Sequence, residues 1–285
     1  MIGLYTQTLR LALVIMARVE VEENVELFVQ DWGSGTPFVF IHGWPLSHRM
    51  FEYQYIQLPR EDIRCIGIDL RGYGQSSKPW SEYDIDMFAD DIKSVLDELN
   101  VDDVTLVGFS MGGGIVTRYM SRHNEEHVGR LALLGAASPV LTERPDFPEG
   151  IDKAVFTDLA KGCYQDRAKV SSEFTNSIFH SEPSTELKDW FQNMSMESSP
   201  QAMADSIESV GDMDLRSDLN DITVPTLICH GVHDQACPFE LTAEKLHEGI
   251  ENAELVRFEE SSHALFYEEK EKLNQQLVEF SEYTQ

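Results

Sequence analysis

From Val19 onward, short runs of apolar and β-branched residues alternate with longer stretches whose apolar positions recur at helical spacing. The runs at residues 25–29, 38–41, 65–69, 104–108, 130–134, 226–230 and 254–258 are predicted strands. Several are apolar without interruption, as strands buried on both faces require. Residues 84–99 and 270–280 carry the helical repeat, the first opening on acidic residues that suit the positive end of a helix dipole. Strand and helix in alternation specify an α/β fold, a mostly parallel central sheet with helices on both faces.

The rhythm breaks between about Ser138 and Ser217. Pro139, Pro145 and Pro148 crowd together there, followed by polar, Met-containing helical patterns such as 174–179 and 187–191. At Val224-Pro225-Thr226-Leu227 the sheet resumes, so the expectation is one core, residues 16–138 and 218–285, with an inserted helical cap at 139–217 and an N-terminal extension at 1–15. The apolar run from Leu9 to Met16 is interrupted by Arg10 and is far shorter than the roughly 20 residues a membrane span needs. It reads as an upstream extension or a misassigned start, with Met16 as the functional beginning. The alternative, a weak signal peptide, has only Arg10 to supply positive charge.

Composition changes this picture in one respect. The 285 residues, 42% hydrophobic and 25% charged, suit an ordinary globular domain, but 50 acidic against 22 basic side chains leave a net charge of -28. Nucleic acid is excluded as a partner, and the surface suits either a salt-loving host or a very soluble protein of ordinary habitat. Cys65, Cys163, Cys229 and Cys237 form no C-x-x-C pair, which argues for free thiols and a cytoplasmic location.

Gly108-Phe109-Ser110-Met111-Gly112 directly follows the strand ending in Val104-Thr105-Leu106-Val107 and directly precedes a helical run. A glycine-rich turn of this kind is commonplace by itself. Between a strand and a helix it becomes a nucleophile elbow, in which Ser110 takes a strained backbone conformation at the helix N-terminus and the flanking glycines avoid collisions with neighbouring strand and helix. Asp234 follows one later strand and His263 the last, each at a carboxyl end where ligands bind in open α/β sheets. Alone, Asp234 is a turn residue before Pro238 and His263 a loop histidine. In the chain order Ser, Asp, His they read as nucleophile, acid and base of acyl transfer. Ile41-His42-Gly43-Trp44-Pro45 adds the backbone N–H of Trp44 to that of Met111 as oxyanion donors, although Trp44 also reads as a plain core aromatic. His42, His230 and His233 read as structural, and no helix carries an H-x-x-x-H metal pair.

His42-Gly43-Trp44-Pro45, Asp69-Leu70-Arg71-Gly72-Tyr73-Gly74-Gln75-Ser76, Phe88-Ala89-Asp90-Asp91, Val107 to Gly114 and Pro225-Thr226-Leu227 together resemble the cofactor-free haloperoxidase, perhydrolase and arylesterase group of α/β-hydrolases. The likeness runs from about Val19 to the end and is weakest in the cap. It implies the triad Ser110, Asp234 and His263, the oxyanion donors Trp44 and Met111, no cofactor and no metal, and small ester or lactone substrates. It also implies that some members form peracids from hydrogen peroxide, with which Pro45 after the oxyanion tryptophan agrees. The N-terminal extension, acidic surface and dissimilar cap depart from the pattern. Haloalkane dehalogenases and epoxide hydrolases, which need a carboxylate nucleophile, are disfavoured by Ser110. The rival from another class is a non-catalytic small-ligand receptor on the same fold. Phe109, Met111, Phe174, Phe179 and Phe191 are either an apolar acyl pocket or plain core. Acyl specificity and oligomeric state stay open.

Overall fold

The computed structural model describes residues 15–282, so all but the last residue of the extension expected at 1–15 lies outside them. The elements run β1 (Ile15–Glu22), β2 (Val25–Trp32), β3 (Thr36–Ile41), α1 (Glu52–Gln57), β4 (Ile63–Ile68), α2 (Ile85–Leu99), β5 (Val104–Phe109), α3 (Met111–Arg122) and β6 (Val128–Leu134). Then come α4 (Ala154–Gln165), α5 (Arg167–Ser177), α6 (Thr185–Met196), α7 (Pro200–Asp212), β7 (Thr226–Gly231), α8 (Ala243–Gly249), β8 (Ala253–Phe258), α9 (Leu265–Glu268) and α10 (Lys270–Ser281). The eight strands form one sheet in the order β1-β2-β4-β3-β5-β6-β7-β8. The pairs β1 with β2 and β2 with β4 are antiparallel, and all the others are parallel.

Alternation along the central strands feeds two cores, one on each face. Val39 and Ile41, Ile66 and Ile68, and Leu131 and Leu133 join Ile92 of α2 and Ile115 of α3 on one face. Phe38 and Phe40, Val107 and Phe109, and Ala132 and Leu134 join Tyr55 of α1 and Leu273 of α10 on the other. This is why these strands read as continuous apolar runs: neither face meets water. The helix expected at 84–99 begins at Ile85, because the Asp84 carboxylate caps it by accepting from Met87 N at 2.8 Å.

Three expectations need adjustment. β1 was not anticipated: its Arg18, Glu20 and Glu22 alternate with Ala17, Val19 and Val21, a half-exposed edge strand by pattern, in which Val19 is buried and Ala17 and Val21 are partly covered. β2 continues to Trp32, where its last residues pair with β4. The pattern at 174–179 overshoots, since α5 ends at Ser177 and Ile178 turns inward as its buried C-cap.

Between β6 and β7 the chain leaves the sheet through α4 to α7. Val140 and Asp214 form an isolated bridge near the base of this excursion, and Leu215 N donates to Pro139 O at 2.8 Å, so exit and return lie side by side.

Candidate active site

β5 delivers Ser110 at its carboxyl end, with α3 starting at the next residue. Ser110 has φ 52° and ψ -120°, a left-handed conformation that costs a non-glycine residue on the order of 1–3 kcal/mol. Its surroundings hold it there: Ser110 N donates to Leu134 O, while Ser110 O accepts from Gly113, Gly114 and Ala137. The flanking glycines are required by space. A Cβ on Gly108 would lie 2.4 Å from Gly112 O, and one on Gly112 would lie 2.4 Å from Ile41 O.

Ser110, Asp234 and His263 come together in one buried hydrogen-bonded row. Asp234 Oδ2 accepts from His263 Nδ1 at 2.7 Å, and the Ser110 hydroxyl donates to His263 Nε2 at 2.9 Å. The proton therefore sits on Nδ1 and the lone pair of Nε2 faces the serine. Asp234 Oδ1 accepts from the backbone amides of Ala236 at 2.9 Å and Cys237 at 2.8 Å. Burial alone would raise this carboxyl. The adjoining rings of His263 and His230 outweigh it and hold the acid well below the usual carboxylate range.

Trp44 and Met111 line the same pocket as Ser110 and His263. Neither backbone N–H meets a protein acceptor among the described residues, so both are available to a ligand. The Trp44 indole donates to Met203 O of α7 at 2.8 Å, and its ring meets Phe174 of α5 edge-on at 5.1 Å. His42 lies beneath this loop. It accepts from Leu70 N and donates from Nδ1 to Gly43 O, both at 3.0 Å, fixing the turn into Trp44. Burial pushes its pKa down to about 4 against the opposing pull of Asp69, so it stays neutral.

The pocket encloses 360 Å³ and is walled by apolar side chains of the excursion, among them Leu141, Ile151, Phe156, Leu159 and Ile207. Met111 and Phe174 reach it. Phe109, Phe179 and Phe191 do not line it. Phe109 and Phe191 are fully buried in the second core, and Phe179 packs against Phe191 at 5.8 Å, because the end of α5 turns that ring away from Ser110.

Three further neighbours stand at the site, of which sequence reasoning placed only one beside the acid. His230, read as a structural residue flanking the acid, places Nε2 3.1 Å from Asp234 Oδ2. Cys237 lines the pocket beside Ser110. Glu268 of α9 accepts from Ser262 N at 2.9 Å with one oxygen and from His180 N at 2.7 Å and Ser181 N at 3.0 Å with the other. Only His230 left a signal, its four-residue spacing from Asp234 across a strand end.

The sequence matches the alpha/beta hydrolase fold family over residues 36–270. It is 46% identical to an AB hydrolase superfamily protein of Bacillus subtilis (strain 168), over 92% of this chain and 98% of that protein. It is 37% identical to a non-heme chloroperoxidase of Kitasatospora aureofaciens, over 90% of this chain and 96% of that one. Among solved structures, an esterase from Exiguobacterium antarcticum superposes with a TM-score of 0.91 at 42% identity, covering 94% of this chain and 100% of its own. Among the described residues no helix is long and apolar enough to cross a membrane. The chain belongs to the α/β-hydrolase family, within its group of esterases and non-haem haloperoxidases, and is a hydrolase by kinship.

Proposed function

We propose that this enzyme cleaves small carboxylic esters or lactones through an acyl-enzyme on Ser110. The observation that carries the reading is the hydrogen-bonded row from Asp234 through His263 to Ser110. His263 Nε2 takes the hydroxyl proton as Ser110 Oγ attacks the carbonyl carbon. The carbonyl oxygen becomes an oxyanion held by the amides of Met111 and Trp44, at the positive end of α3. When the C–O bond breaks, His263 returns the proton to the leaving alkoxide. Water then attacks the acyl carbon, giving its proton to His263, and the acid departs as Ser110 is reprotonated. Asp234 fixes the ring tautomer and stabilises its cation.

Hydrogen peroxide in place of water yields a peracid, which would oxidise halide outside the pocket and revert to the acid. The kinship with a non-heme chloroperoxidase and the presence of Pro45 support this branch. The excursion of α4 to α7 acts as a cap that sets acyl size, since it supplies most of the apolar wall. Four buried free thiols fit a reducing cytoplasm.

The test is hydrolysis of p-nitrophenyl acetate by the enzyme and by Ser110→Ala, with and without hydrogen peroxide and bromide. Turnover that falls by about 10⁶ in the variant upholds the reading, and bromination dependent on both Ser110 and a carboxylic acid upholds the peracid branch. Equal rates in both proteins would refute Ser110 as nucleophile. Tight binding of short esters without turnover would restore the receptor alternative.

A further inference from the structure

We infer that His230 is a positioning residue for the acid, holding the Asp234 carboxylate and sharing its charge, and this inference rests on the triad reading above. His230 stands near the end of β7 and has no exposed surface. Its Nε2 lies 3.1 Å from Asp234 Oδ2, the oxygen that also accepts from His263, and 2.8 Å from Cys237 O. Both neighbours are acceptors, so Nε2 carries the hydrogen. Its Nδ1 is buried and has no partner among the described residues. His230 thereby presents its Nε2 hydrogen to both acceptors.

The placement does two things. Oδ2 accepts from His263 and faces the single His230 N–H, which Cys237 O also accepts, while Oδ1 takes the amides of Ala236 and Cys237, so the carboxylate cannot rotate without breaking a hydrogen bond on each side. The second donor also draws charge off Oδ2. Asp234 then holds the imidazolium less tightly than a carboxylate bound only by His263, and the ring keeps giving its proton back. By bonding to Cys237 O as well, His230 ties the acid to the residue beside Ser110 on the pocket wall. The other charged or titratable groups around this assembly are the Cys237 thiol, Glu173 across the pocket, Glu268 on the amide of Ser262, the exposed His233, which stacks on His180, and Arg257 of β8, which pairs with His230 in the strand register and lies over the Phe239 ring that His230 meets edge-on. None of these is bonded to Oδ2 in the structure.

The experiment compares His230→Leu and His230→Gln with the natural enzyme by kcat, KM, the acidic limb of the pH profile, melting temperature, and NMR titration of the His263 ring. Leucine fills the space without a donor, and glutamine returns an N–H near the position of Nε2. In His230→Leu, kcat should fall about 10- to 100-fold, the size of loss seen when the hydrogen-bond partner behind a metal-ligating residue is removed. That is short of the roughly 10⁴-fold loss from disabling a triad aspartate. KM should hold, and the acidic limb and the ring titration should both move to higher pH. His230→Gln should recover most of kcat and return both midpoints.

Equal losses in the two variants with unmoved midpoints would reduce His230 to packing and overturn the inference, as would a His230→Leu enzyme of unchanged rate. The ring titration needs no turnover. If Ser110→Ala shows that the chemistry does not depend on the serine, a moved ring midpoint still upholds the coupling of His230 to the acid, and an unmoved one ends it.

Discussion

His42 makes the fold sensitive to acid between pH 6.5 and about 4. Its ring is fully buried, and that burial takes its pKa from 6.5 to about 4. Above pH 6.5 the ring is neutral whether the chain is folded or not. As the pH falls from 6.5 toward 4 the unfolded chain takes up a proton that the folded one refuses, so stability is lost, by about 3 kcal/mol at the bottom of the window. Burial raises the Asp91 carboxyl to about 6 and acts with the opposite sign over the same range, so the prediction concerns the difference: melting temperature should fall more, or rise less, from pH 6.5 to about 4 in the natural protein than in His42→Gln, even if the variant starts lower. Parallel curves would show that His42 does not titrate in the unfolded chain alone. At this scale the sequence was informative about residues whose order along the chain matters, Ser110, Asp234 and His263. It was silent on which of two histidines beside the acid faces inward. His230 is inside the strand and buried, whereas His233, three residues on, is exposed and stacks against His180 at 4.0 Å.

At the scale of elements, α9 is four residues long yet joins two others. Glu268 gathers the amide beside His263 and those of the segment leaving α5, and Ala264 N donates to Ile178 O at 2.9 Å alongside it. A carboxylate receiving amides contributes about 1.5–3 kcal/mol per charged hydrogen bond. Glu268→Ala should therefore loosen the histidine loop and the end of α5 together. The expected result is faster hydrogen exchange at Ser262 in the histidine loop and at His180 and Ser181 beyond α5, and a kcat lower by about tenfold, the equivalent of roughly 1.4 kcal/mol at the barrier. Exchange that quickens at only one of the two segments would show that they are held separately. The uneven legibility of the elements has the same physical root. Strands buried on both faces announce themselves as unbroken apolar runs. β1 shows only a charged-apolar alternation, and α5 packs through a few positions, with Val170, Ser171 and Thr175 buried, too polar a set to mark where a helix ends.

Across the whole molecule the acid excess leaves cations outnumbered even where they are paired. Arg118 lies between Asp86 and Asp218, Arg122 between Asp86 and Asp90, and Arg216 between Asp146 and Asp214. With a net charge of -28 the remaining repulsion acts over the Debye length, about 10 Å at 0.1 M salt and 3 Å at 1 M. Melting temperature and ester turnover should both rise between those concentrations, and a flat response would remove the salt-loving alternative for this surface. A different kind of coupling follows from the Trp44 indole, anchored on the Met203 carbonyl of α7. In the proposed mechanism, the residue whose amide receives the oxyanion is moored to the excursion that lines the pocket. On that proposal substrate choice and turnover rate are one heritable trait: a change in α7 that admits a new acyl group also tugs on the machinery that processes it.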